Sequence, residues 1–291
     1  MSGAHPGPTR QDRHGGAPAQ RGAARQPGRH AGRDRVGGGR GPAGQGAVGR
    51  DGGTAPSEHG PSCAAQLVRA DLHVHTMWSG DSTTTPEELT RAIQSSGLGI
   101  VCITDHGTTR GGAALAARCS GEGADGACQV VVGEEIRTAE GEVIGLFLSE
   151  TIPPAATAEG AALAVREQGG LVYVPHPFDP SRRHLTRAAL DRLVEAGLVD
   201  ALEVWNAKTA DPRLQAEARR YAAEHDLAGG AGSDAHVPAA LGAAYVEVTL
   251  TGPVGPDTLL AALRLGRVVG TSFDPPRPWE PRIVPSTARL G

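Results

Sequence analysis

From residue 67 onward, short runs of branched apolar residues alternate with stretches in which apolar positions recur every three or four residues. The first pattern marks strands and predicts them over 67–75, 99–105, 130–136, 143–148, 171–175, 201–205, 227–230 and 245–250. The second marks amphipathic helices, predicted over 86–96, 157–168, 186–196, 211–225 and 257–265. The helix over 86–96 follows a threonine run and opens with Glu87 and Glu88, which complement the positive end of the helix dipole. Strand–helix alternation over about 225 residues points to a parallel α/β fold, and a (β/α) barrel accommodates this number of strands.

Polar residues interrupt the pattern at one kind of place. His73/His75, Asp105/His106, Glu135, His176, Asn206 and Asp234/His236 each fall at or just past the C-terminal end of a predicted strand. In a barrel those ends converge on one face, whereas an open sheet gathers only the ends beside its switch point. Ligand-type residues on so many strand ends favour the barrel. The first cluster, Asp71-Leu72-His73-Val74-His75-Thr76, shows the logic. Alternate residues of a strand share a face, so His73 and His75 project together while Leu72 and Val74 pack away. Two imidazoles so placed are half of a transition-metal site. Mixed imidazole and carboxylate donors suit Mn²⁺, Fe²⁺ or Zn²⁺ better than Mg²⁺ or Ca²⁺.

Composition narrows the folded part. Residues 1–66 contain 17 Gly and 7 Pro and almost no large apolar side chain, so they cannot bury a core. They carry nine Arg against four Asp/Glu; the remainder carries 19 basic and 28 acidic residues, which argues against tight binding of long nucleic acid. We expect a solvated extension or an over-extended reading frame over 1–66, a barrel over 67–274, and a Pro-rich tail over 275–291 that includes Trp279. His5, His14, His30 and His59 fall in the extension, and His184 and His225 read as surface histidines. The one lysine, Lys208, stands against 27 arginines, as in a high-GC genome. The cysteines, Cys63, Cys102, Cys119 and Cys128, form no C-x-x-C pair, and no stretch approaches 18 apolar residues. The expectation is a cytoplasmic protein with no membrane association and no obligate protein partner.

Taken together, Asp71–Thr76, Ile103–His106 with Gly133–Glu135, Val174–Pro177 and Ser233–His236 resemble the four motifs of the PHP (polymerase and histidinol phosphatase) family of metal-dependent phosphoesterases. The resemblance implies a distorted (β/α)7 barrel holding two or three divalent metal ions. It implies that His73, His75, Glu135 and Asp234 bind one ion, that Glu135 bridges to a second completed by His176 and Asn206, and that Asp81, His106 and His236 hold a third. Asp105, His106 and His236 are the candidates for proton transfer, with Asp105 alternatively orienting a histidine. Arg110, Arg182 and Arg183 are candidate phosphate contacts. One departure is Glu142, which stands where nucleotide-phosphatase members carry a histidine; it could serve as an oxygen ligand, or the site could hold fewer ions.

The implied activity is phosphate release from a nucleotide or small phosphorylated metabolite by metal-activated water. Exonuclease action on short RNA is the near alternative. An amidohydrolase also starts with His-x-His in a barrel and uses a mid-barrel lysine or carboxylate bridge; Lys208 keeps that reading open, while Asp105-His106 and Asp234-Ala235-His236 argue against it. A metal-binding module without turnover is the remaining alternative.

Overall fold

The computed structural model describes residues 65–119 and 128–272. Residues 1–64 of the expected extension, with Cys63, and the expected tail 275–291 lie outside the described residues. The elements run β1 (Gln66–Val74), α1 (Pro86–Ser96), β2 (Ile100–Ile103), α2 (Arg110–Cys119), β3 (Gln129–Thr138), β4 (Gly141–Leu146), α3 (Ala158–Glu167), β5 (Leu171–Val174), α4 (Arg187–Glu195), β6 (Ala201–Asn206), α5 (Pro212–Glu224), β7 (Ala228–Gly232), β8 (Ala244–Leu250), α6 (Pro256–Arg264) and β9 (Arg267–Gly270). Helix α1 begins as its sequence dictates: Thr85 and Glu88 form a reciprocal capping box, and Pro86 takes the first turn.

The strands form one sheet in the order β7-β6-β5-β4-β3-β2-β1-β8-β9. Strands β7 to β1 curl into a nearly closed α/β barrel. Its seam is a parallel bridge between Val74 and Ala235, with the Asp234 N–H donating to the His73 carbonyl (2.8 Å) and the His75 N–H to the Ala235 carbonyl (3.0 Å). The all-parallel expectation needs correction. Strand β4 runs antiparallel to both β3 and β5, and β8 runs antiparallel to β1. A two-residue connection between β3 and β4 permits a hairpin but no helical crossover.

Two elements were not predicted. Helix α2 opens Arg110-Gly111-Gly112, a poor helix start by propensity. The glycines serve contact instead: a Cβ at Gly111 would lie 1.9 Å from Asp105 Oδ2, and one at Gly112 would lie 3.1 Å from the Val132 backbone. Strand β9 is short and pairs only with β8.

Three apolar clusters hold the fold. One contains Ala70, Leu72, Cys102, Ile144, Leu146 and Tyr173 from inside the barrel; the other two pack helices against its wall, around Val165, Leu190 and Tyr221 and around Leu89, Ile93 and Leu115. Leu72 and Val74 do not pack together as strict alternation predicts. Leu72 joins the interior cluster and Val74 the one under α1, because β1 carries one more residue than β2 between Asp71 and Val74. Among the described residues no helix is long and apolar enough to cross a membrane.

Candidate metal centre

The extra residue in β1 re-aims the strand end so that His73 and His75 both enter the barrel mouth, with Nε2 atoms 3.0 Å apart. A second extra residue lies in β6 between Glu203 and Trp205, and it lets Glu203 and Asn206 meet (2.9 Å) although they are three apart. His176 and Asp234 follow β5 and β7 in left-handed backbone, at φ 29° and 50°. Such conformations cost on the order of 1–3 kcal/mol each and persist where surrounding bonds hold them. Here the His176 N–H donates to Glu203 Oε2 (2.6 Å) and the Asp234 N–H to the His73 carbonyl (2.8 Å). Glu142 arrives by the antiparallel strand: β4 begins at the end where its neighbours finish, so its second residue reaches the same mouth.

The side chains converge closely. Glu135 is the hub: Oε2 lies 3.3 Å from His73 Nε2, His75 Nε2 and His106 Nδ1, and Oε1 lies 3.0 Å from His176 Nε2. Asp234 Oδ1 lies 3.5 Å from His75 Nε2 and 3.9 Å from His73 Nε2. Asp81 Oδ2 stands between His106 Nε2 (3.1 Å) and His236 Nε2 (3.2 Å). Glu142 lies 3.7 Å from His106 and 3.9 Å from His176. All these groups are buried except His106, His236 and Asp81, which are partly exposed at the rim.

Burial and charge set the protonation. Burial disfavours charge on His73, yet Glu135, Asp234 and Glu203 outweigh it and hold its pKa well above the usual value. Burial and then the His236 charge push His75 down to about 3. Burial would raise Glu135 and Asp234, but their cationic neighbours keep both well below the carboxylate range. Glu142 moves the other way, raised by burial and then by Glu135. Two carboxylates facing each other in a dry mouth are most simply neutralised by a cation between them.

The donor set fits metal ions. His73-His75-Asp234, His73-Glu135-His176, His75-Asp81-His106 and His106-Glu135-Glu142 each offer ligand atoms within 4.8 Å of one another. Buried atoms Asp81 Oδ1, His106 Nδ1 and Glu142 Oε1 have no hydrogen-bond partner. One proton cannot satisfy the facing nitrogens of His73 and His75 and the carboxylates beside them, whereas shared cations can.

Three predicted site residues sit differently. Asp105 is buried, but both its oxygens accept from Thr76, from N–H and Oγ1–H at 2.6 Å each. It braces the turn after β1 and presents no oxygen to the mouth. The Asn206 oxygen accepts the Lys208 N–H (2.8 Å) and its amine donates to Glu203 (2.9 Å) and Asp234 (3.3 Å), so its polar atoms are spent on orienting Asp234. Arg110 is exposed at the start of α2, outside the cleft. Arg182 and Arg183 do line the cleft, a volume of about 220 Å³, and Arg182 Nη2 donates to Asp234 Oδ2 (2.7 Å).

Sequence reasoning passed over Glu203, Arg137 and Ser79. Glu203 accepts from His73 Nδ1 (3.1 Å), and its signal was a carboxylate inside the apolar run Ala201-Leu202-Glu203-Val204. Arg137 sits opposite Glu142 in the hairpin (3.4 Å), and Ser79 Oγ lies 2.9 Å from His75 Nδ1.

A family model described as PHP-associated matches residues 212–268. The uncharacterized protein MJ1587 of Methanocaldococcus jannaschii is 38% identical over 154 residues, which cover 50% of this chain and 85% of that one. A two-domain protein from Bacteroides vulgatus, containing a predicted PHP-like metal-dependent phosphoesterase, superposes with a TM-score of 0.59 at 17% identity over 76% of this chain and 70% of its own. This chain belongs to the PHP family. The PHP barrel is shared also with PsfC from Pseudomonas syringae, at a TM-score of 0.54, 20% identity, and 71% and 92% coverage of the two chains.

Proposed function

We propose that this PHP barrel is a metal-dependent phosphoesterase that releases phosphate from a nucleotide or another small phosphorylated metabolite. The observation that carries the reading is the convergence of the buried His/Asp/Glu groups at one barrel mouth, with Arg137, Arg182 and Arg183 at its edge. His73, His75, Glu135 and Asp234 would hold one ion, Glu135, Glu142 and His176 a second, and Asp81, His106 and His236 a third. The mixed donors suit Mn²⁺, Fe²⁺ or Zn²⁺. When bound, such ions supply Lewis acidity, drawing charge from phosphoryl oxygens and making water acidic enough to react near neutral pH.

The chain's own groups do the rest. Glu203 accepts the Nδ1 proton of His73 and so leaves Nε2 directed at the cluster (3.1 Å). Arg182 and Asn206 fix one oxygen of Asp234 and turn the other toward His73 and His75. Arg137 and Arg183 are half-exposed on the Glu142 side, where a guanidinium can meet a phosphate edge-on. The cleft is small beside ligand pockets of about 300–1,000 Å³, which favours a terminal phosphoryl group on a small molecule or on the end of a short RNA.

The position of Lys208 disfavours a lysine-bridged amidohydrolase. Glu135 occupies the place between His73 and His176 where the lysine-derived bridge would have to stand, while Lys208 Nζ lies off to the side at His236 (3.2 Å).

The test is phosphate release by Mn²⁺-loaded protein on a nucleotide bisphosphate, a nucleoside monophosphate, a sugar phosphate and a short 5′-phosphorylated RNA. A His73→Ala/His75→Ala variant runs beside it. Turnover that vanishes in the variant and on chelation supports the proposal. Full metal loading with no turnover on any of the four substrates would count against it and favour a binding role.

A further inference from the structure

The chain's one lysine lies at the metal centre. Its backbone is held from several directions. The Lys208 N–H donates to Asn206 Oδ1 (2.8 Å), the Thr209 hydroxyl donates to Asp179 Oδ2 (2.7 Å), and Gln215 Nε2 donates to the Thr209 carbonyl (3.2 Å). Asp179 also accepts from Ser181 (2.6 Å), and its carbonyl accepts from the Arg182 N–H (3.0 Å). One carboxylate therefore ties the loop carrying Arg182 to the loop carrying Lys208.

The two cations differ in what they have left to give. Arg182 is committed to Asp234 Oδ2 at 2.7 Å. The Lys208 ammonium lies 3.6 Å from Asp234 Oδ1, beyond hydrogen-bond length, and 3.2 Å from His236 Nδ1. That nitrogen is only 2.8 Å from the Asp234 carbonyl, to which its N–H donates, so it has no lone pair for the ammonium. An ammonium has three donors. Those of Lys208 find no well-placed protein acceptor at the cluster, although the side chain is only 28% exposed. A rotating point charge beside the ions fits a tetrahedral oxyanion better than a second carboxylate.

We propose that Lys208 is a substrate-binding residue whose ammonium takes a non-bridging oxygen of the phosphoryl group on the Asp81–His236 side of the cluster, opposite Arg137 and Arg183. The assignment rests on the phosphoesterase reading above, and its test separates the two. Apart from the α-amino group, Lys208 is the only amine, so reductive methylation with ¹³C-formaldehyde labels it almost alone. The resonance missing from Lys208→Met identifies it. Zn²⁺-loaded protein, freed of excess metal, is titrated with inorganic phosphate and followed by this resonance and by calorimetry.

The expected result is a saturable shift of the Lys208 signal. In Lys208→Met, phosphate affinity falls roughly ten- to a hundredfold while metal content is unchanged, and Lys208→Arg recovers part of the loss. Phosphate binding that leaves the resonance in place, or is equally tight in Lys208→Met, overturns the assignment and leaves the phosphoesterase reading standing. Fully loaded protein that binds no phosphate overturns both.

Discussion

Glu203→Gln is the sharpest probe of how the centre is built. In the wild type one oxygen, Oε2, accepts from the His176 N–H (2.6 Å) and the Asn206 amine (2.9 Å), and the other faces His73 Nδ1 (3.1 Å). Glutamine keeps a single oxygen. The amide orientation that satisfies the two N–H donors turns its NH₂ toward His73 Nδ1, which must then accept. The imidazole then keeps its proton on Nε2, the atom that faces His75 and Glu135. A protonated nitrogen cannot ligate, so metal binding has to reverse that tautomer and leave the amide N–H unpaired. Loss of such a supporting partner typically weakens metal affinity ten- to a hundredfold, about 1.4–2.8 kcal/mol. Folding should change by less than about 1.5 kcal/mol, since the two backbone and amide donors keep their acceptor. Alanine is the poorer choice, because it strands three buried donors at about 1–3 kcal/mol each. Affinity is read by competition against a chelator, and the tautomer by ¹⁵N chemical shifts of the His73 ring. Wild-type metal affinity in a folded Glu203→Gln protein would refute the tautomer argument.

Two further predictions concern the frame. A Cβ at Gly232 would stand 2.3 Å from His73 Cβ and 2.6 Å from Glu203 Oε1. Gly232→Ala should therefore lose about 1–3 kcal/mol in denaturant unfolding and weaken metal binding in the same variant; a wild-type midpoint would show that the approach is looser than described. Glu134 is fully buried with one oxygen on the Ile152 N–H, and burial pushes its pKa up to about 7. The folded chain then holds this proton more tightly than the unfolded one, so stability falls as pH rises from about 4.5 to 7, by up to ~3 kcal/mol. Glu134→Gln should remove that slope from metal-free unfolding measured between pH 5 and 8; an unchanged slope would assign it to other groups.

The strands that alternate cleanly were legible, and so was the end of the barrel where chemistry gathers. Gly133-Glu134-Glu135 illustrates why: neighbours on a strand face opposite ways, and Glu135 enters the mouth while Glu134 goes to Ile152. What sequence periodicity could not carry was direction and phase. Reversal of β4 brings a residue from a strand's beginning, Glu142, to a site otherwise read from strand ends. The extra residues in β1 and β6 shift the alternation at the level of the cluster, separating Leu72 from Val74 and joining Glu203 to Asn206. Helix α2 hid behind two glycines whose value lies in tertiary contact with Asp105 and Val132. Asp105 and Asn206 have the right chemistry for ligands, and only their partners reveal them as braces.

The seam that closes the barrel passes through His73, Val74, His75, Asp234 and Ala235. An ion shared by His73, His75 and Asp234 would thus be a clasp between two stretches of chain ~160 residues apart, whose encounter costs on the order of 4–5 kcal/mol of loop entropy. Such a clasp would act on the circumference of the whole barrel as well as on the chemistry proposed at its mouth. Stripping the metal should loosen the end of β1 from the end of β7 and speed amide exchange along that line before it reaches β3 to β5. In such an architecture, metal loading and mechanical closure would be one event, and a half-loaded protein would also be a half-fastened one.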